Sequence, residues 1–131
     1  MAAEPDLDAV LAELRAREPI FHHPELGTSR ADFEAQTAAD FWETGASGQR
    51  YSREDVWATL ERRYADAGYA AADEWSADDF AVRAIAPGTY LLTYTLHQGA
   101  RLTRRLTVWQ RVPPSGTWRI LYHQGTIVAG P

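Results

Sequence analysis

Glu43 follows Phe41 and Trp42 and precedes a glycine-rich turn. Bulky apolar neighbours desolvate a carboxylate, raise its pKa and suit it to act as a general base. The plainer alternative is a carboxylate that faces solvent or is held by an arginine. His123 lies between Tyr122 and Gln124 in the last apolar run. An imidazole, with an ordinary pKa of about 6.5, suits proton transfer near neutral pH. A strand histidine can equally be a hydrogen-bonded structural group. Arg105, Thr107 and Trp109 share one face of an alternating segment. A guanidinium and an indole N–H on one face would serve an anionic or carbonyl-bearing ligand. Alternation defines two faces without saying which is covered, so Arg104 competes as the inward residue. An inward arginine needs a partner, and Glu43 is the candidate for an internal ion pair. Tyr94 is a candidate oxyanion donor, and Trp57, with Tyr64 and Trp75, a candidate pocket wall or core ring. His97, at the end of its segment, is a second histidine candidate.

The remaining composition closes off several chemistries. The chain has no cysteine, which removes disulfides, thiolate nucleophiles and sulfur-ligated metal sites, and fits a cytoplasmic setting. His22 and His23 adjoin Glu25, but no HExxH spacing follows and no metal or cofactor is expected. GASG at 45–48 lacks the Lys and Ser/Thr of a phosphate-binding loop. The formal net charge is −5, and Arg101, Arg104, Arg105 and Arg111 divide between two faces, so nucleic acid is not an expected partner. The opening MAAEPDLDAV is acidic and does not read as a signal peptide. No apolar run approaches the roughly 20 residues needed to cross a membrane, and no membrane partner is expected. Five tryptophans and six tyrosines stand against one methionine, so large rings must fill the core, line a pocket, or both.

These side chains need elements to hold them. At 131 residues the chain is sized for one domain, 1–131. Leu7, Val10, Leu11 and Leu14 form one apolar stripe and predict a helix from Asp6 to about Arg17, ended by Pro19. Ser29 and Asp32 have capping-box spacing and predict a second helix to about Asp40. FWETG then reads as a short strand and GASGQ as a turn. Ser52 and Asp55 cap a third helix, with Val56, Leu60 and Tyr64 on one face, fading at 66–68. From Phe80 the period becomes two. Strands are predicted near 80–85, at Tyr90–His97, at Arg101–Arg111 and from Thr117 to about Val128, with Gly125 a place for a bend or bulge. On the last strand Trp118, Ile120, Tyr122 and Gln124 oppose Arg119, Leu121 and His123. Short turns join these strands and no crossover helix separates them. The fold class is therefore α+β: three N-terminal helices packed on an antiparallel sheet of four to six strands.

The segments FWETGASGQRYSREDVW at 41–57, LTRRLTVWQR at 102–111 and WRILYHQGT at 118–126 resemble the nuclear transport factor 2-like superfamily, also called SnoaL-like or cystatin-like. Within it the chain looks like the small bacterial branch of unknown function related to calcium/calmodulin-dependent kinase association domains. The resemblance spans nearly the full chain. It implies a strongly curved sheet forming a cone, with the helices in its concave side, an apolar cavity at the open end and, commonly, a homodimer. Members include steroid isomerases, dehydratases, polyketide cyclases, protein-transport factors and nonenzymatic association domains, so the likeness does not select a function. The isomerases use an early-strand carboxylate with a Tyr and a protonated carboxylic acid. Here Glu43 is the sole carboxylate of the candidate early strand, and the late strands carry none. A dehydratase-type pair could be imitated by His97 or His123 with Asp40 or Glu43.

Two readings follow. One is a pocket for a small, partly apolar carbonyl or hydroxyl compound, serving isomerase, cyclase or dehydratase chemistry, with Glu43 and His123 catalytic and Trp57, Tyr94, Arg105 and Trp109 binding the ligand. The other is a noncatalytic dimerisation or ligand-binding module. The sequence leaves open whether the chain is an enzyme.

Overall fold

The computed structural model describes residues 6–66 and 74–129. Helix α1, Leu7–Arg15, starts where the Asp6 carboxylate accepts from the Ala9 N–H at 3.1 Å, and it buries Val10 and Leu14. A connector carries a short 3-10 turn, Pro24–Leu26, to helix α2, Arg30–Gln36. Ser29 and Asp32 close a capping box at the start of α2.

Helix α2 ends at Gln36, four residues before the expected Asp40, and strand β1 occupies Thr37–Thr44. The reason lies in tertiary partners. Arg53 donates to the Glu34 carbonyl at 3.0 Å, the Thr37 carbonyl at 3.1 Å and the Thr37 hydroxyl at 3.0 Å. A cation thereby covers the open carbonyls at the helix's negative end and frees the chain to become a strand. Arg53 is accordingly half-buried.

A turn closed by the Gly45 N–H on the Gln49 carbonyl leads to β2, Arg50–Ser52. Helix α3, Arg53–Ala65, begins in a second capping box, Ser52 with Asp55, and buries Val56, Trp57 and Leu60. Its expected fade at 66–68 falls largely outside the described residues. Strands β3, Ser76–Ala86, β4, Thr89–Gln98, β5, Arg101–Val112, and β6, Thr117–Ile127, follow as a meander.

The curled six-stranded sheet has the order β2-β1-β6-β5-β4-β3. All neighbouring pairs are antiparallel except β1 and β6, which run parallel. The sheet is thus mostly antiparallel, as expected, and for its one parallel pair the segment through α3 and the meander forms the long connection required. The helices pack against one face. Leu14, Phe41, Leu92, Leu96 and Ile120, each at most 1% exposed, form the centre of the core.

Candidate ligand cavity

In β6 the register against β5 slips between Trp109–Ile120 and Val108–Tyr122, leaving Leu121 as an extra residue. A bulge of this kind reverses which side chains face inward. Before it, Trp118 and Ile120 are buried; after it, His123 and Gly125 are. Strict alternation had set His123 against Ile120 and had offered Gly125 as the irregular position. The irregularity is at Leu121, and it turns the imidazole inward.

The same register places Glu43 of β1 beside His123, and Thr107 and Arg105 of β5 opposite His123 and Gly125. Glu43, Arg105 and His123 therefore line one cavity of about 330 Å³. Ile20 and His22 of the connector, with Leu60 and Arg63 of α3, form its other walls.

Glu43 is half-buried. Burial pushes its pKa up, and the positive charges of Arg105 and then Arg63 pull it partly back. The expected Glu43–Arg105 ion pair does not close. They share the cavity and sense each other's charge, but Arg105 spends its bonds elsewhere: Nε donates to the Thr103 hydroxyl at 3.0 Å and Nη1 to His123 Nε2 at 3.4 Å. The Arg105 side chain runs along Gly125, where an added Cβ would stand 3.4 Å from Nε, in ordinary van der Waals contact. Among the described residues, neither the Glu43 carboxyl nor Arg105 Nη2 has a hydrogen-bond partner.

His123 is 1% exposed, and its Nδ1 lies 2.8 Å from the Thr107 hydroxyl. Burial, then the nearby Arg105 and His22, bring its pKa down to about 3, so the ring is neutral at pH 7. A second carboxyl, Glu18 of the connector, is only 1% exposed. Glu18 accepts from the Tyr94 hydroxyl at 2.6 Å, the Trp109 indole N–H at 3.0 Å and the Ile20 N–H at 3.0 Å. Desolvation raises its pKa, while donation from Tyr94 and Trp109 opposes the rise.

These bonds decide the fate of the other expected ligand-binding residues. Tyr94 and Trp109 are each 2% exposed and turn their polar tips to Glu18, not to the cavity. Trp57 packs on Phe33 with ring centroids 5.5 Å apart, inside the core. His97 lies 3.2 Å from Asp78 on the surface, and Asp40 is exposed, so neither joins Glu43. His23 is held by Glu25 and the Glu18 carbonyl, at 2.9 and 2.8 Å. Sequence reasoning took residues 17–19 as a helix end and passed over Glu18. The available signal was a carboxylate running straight into Pro19, Ile20 and Phe21.

No family model matches the chain, and no curated protein matches it significantly. Solved structures do. An NTF2-like protein from Cytophaga hutchinsonii superposes with a TM-score of 0.67 at 15% identity, over 95% of this chain and 100% of its own. A cystatin-like fold protein from Burkholderia xenovorans gives 0.68 at 17% identity, over 98% and 96%. An uncharacterised Caulobacter vibrioides protein with a cystatin-like fold gives 0.68 at 18%, over 94% and 89%. The chain thus has the NTF2-like, cystatin-like fold, as its motifs implied.

Proposed function

We propose that the cavity binds a small carboxylate that also carries an enolisable carbonyl, and that Glu43 is the base that removes its proton. The observation that carries this reading is the pairing of an unbonded Glu43 carboxyl with an unbonded Arg105 Nη2 in one cavity of about 330 Å³. A volume of that order holds a small ligand. Arg105 supplies N–H donors to the carboxylate or to the developing enolate oxygen. Glu43, with a raised pKa and no competing donor, accepts a proton from the carbon beside the carbonyl and returns it at a neighbouring atom. The Tyr94 hydroxyl is engaged by Glu18, so the oxyanion role passes from Tyr94 to Arg105 in this reading.

Levulinate in D₂O is the test. The expected result is enzyme-dependent loss of its C3 proton NMR signal, abolished in Glu43→Gln and strongly weakened in Arg105→Gln. Binding without exchange would leave a ligand-binding module. Neither binding nor exchange, with a wider set of keto acids behaving alike, would overturn the reading.

The second reading, an association module, draws support from the outer sheet face. Trp42 is 42% exposed and packs on Tyr122 at 4.5 Å between centroids, beside half-buried Leu106 and Val108. A homodimer through this face is compatible with a working cavity on the other side.

A further inference from the structure

Strand β5 carries four arginines, and their partners sort them. Arg104 turns away from the cavity, donates to the Thr95 hydroxyl at 2.7 Å and lies 3.6 Å from Asp79. Arg111 is paired with Glu13. Arg101 and Arg105 share the inner face with buried Thr103 and Thr107, and both line the cavity. Among the described residues, Arg101 has no hydrogen-bond or ion-pair partner, and Arg105 Nη2 has none. Across the hairpin, Gln98 stands opposite Arg101 in register and lines the same cavity. Its amide oxygen is shut in without a partner, and its Nε2 is an unbonded donor in the wall. With Arg63 of α3, the described cavity wall sets three guanidinium groups against one carboxylate, Glu43. This excess of positive charge sits in a chain whose formal net charge is −5. A ligand with a single negative charge leaves part of it unanswered.

We propose that the cavity is built for a dicarboxylate: Arg105 holds the end nearest Glu43, and Arg101 with Gln98 holds a second carboxylate at the rim. This rests on the cavity reading given above and narrows its substrate from a keto acid to a keto dicarboxylate. Half-buried Arg105 belongs to the interior and exposed Arg101 to the mouth. Four residues separate them, roughly 13 Å along the strand. Two long guanidinium arms at that spacing can grip the two ends of a short chain without crowding one group. Each offers a planar fork of N–H donors, which matches the two oxygens of a carboxylate. Gln98 Nε2 adds a neutral donor beside Arg101.

The experiment is calorimetric titration of the full chain with two matched pairs of probes. Levulinate is compared with 4-oxoheptanedioate, which carries a carboxylate on both sides of its carbonyl. Butyrate is compared with glutarate, which adds the second carboxylate without any carbonyl. In each pair the dicarboxylate should bind at least about tenfold more tightly at low salt. That advantage should shrink as added salt screens the exposed contact at Arg101. Arg101→Gln should abolish the advantage in both pairs. Arg104→Gln, on the other face, should keep it and shows that the loss is not a general effect of removing a charge. Equal affinities within each pair in wild type, or an undiminished advantage in Arg101→Gln, overturn the assignment. An Arg101-dependent preference for glutarate, with no exchange of the protons beside the carbonyl of 4-oxoheptanedioate, supports the second carboxylate site and strikes Glu43 as the base. Exchange of levulinate with no preference for either dicarboxylate does the reverse. Binding of none of the four probes overturns both.

Discussion

The neutrality of His123 has a thermodynamic signature. Its folded pKa of about 3 lies well below the ordinary 6.5. Above the ordinary value the folded and unfolded chains both carry a neutral ring, and its contribution is complete. As the pH falls from there towards 3, the unfolded chain takes up a proton that the folded chain refuses. Stability is therefore lost on acidification, by up to about 1.4 kcal/mol per pH unit. Glu18 and Glu43 act in the opposite sense, because their folded pKa values lie above the ordinary 4.5. Their contribution is present at low pH and is lost as the pH rises through their folded values. Urea unfolding of wild type and His123→Asn at pH 7 and pH 5 separates the terms. The variant should lose less stability between the two, and the His123 ring signals of wild type should stay flat from pH 8 to 5. A wild-type ring that titrates near 6.5 would contradict the buried neutral state. Glu43, Arg105 and His123 were legible because residue type and immediate neighbours announce them. Glu18 was not, because what makes it special comes from Tyr94, 76 residues away, and Trp109, 91 residues away.

At the scale of elements, helix starts were the clearest text in the chain. Ser29–Asp32 and Ser52–Asp55 each satisfy two backbone donors with two adjacent side chains, a purely local event that spacing reveals. The Ser52 box starts the helix whose buried Val56 and Leu60 wall the cavity. Ser52→Ala should cost about 1 kcal/mol of stability, read as a lower urea midpoint at unchanged slope. A loss below a few tenths would mean that Arg53 and the core hold α3 without its cap. Helix ends and strand faces were harder to read. The end of α2 depends on Arg53 arriving from α3, and the inward turn of His123 depends on a bulge at Leu121. The sequence Trp118, Ile120, Tyr122, Gln124 alternates without interruption, and an inserted residue leaves no mark on that pattern. Only the pairing of β6 with β5 on one side and β1 on the other sets the register. The parallel β1–β6 pair was hidden for the same reason, since strand order is decided by contacts across the whole chain.

Across the whole molecule, the two faces of the curled sheet differ. The face under the helices carries the core, buried Glu18 and the cavity; the opposite face carries Trp42, Leu106, Val108 and Tyr122. Turn-linked strands after a helical half made the α+β class plain from sequence, whereas the position of the cavity followed only from which residues the bulge and the register turned inward. We propose that a homodimer, if one forms, uses the face opposite the helices. An exposed Trp stacked on a Tyr, with an apolar strand beside it, is a surface that gains from being covered. Equilibrium sedimentation at micromolar concentration should give a dimer for wild type. Leu106→Glu puts a charge at a half-buried outward position of β5 and should give a monomer. Because inner and outer side chains of β5 alternate, that substitution leaves Arg105 and Thr107 in place, so the monomer should bind levulinate as wild type does. A wild-type monomer would remove the dimer. A monomeric variant that loses levulinate binding present in wild type would show instead that the two faces are coupled, with the sheet transmitting strain from one to the other.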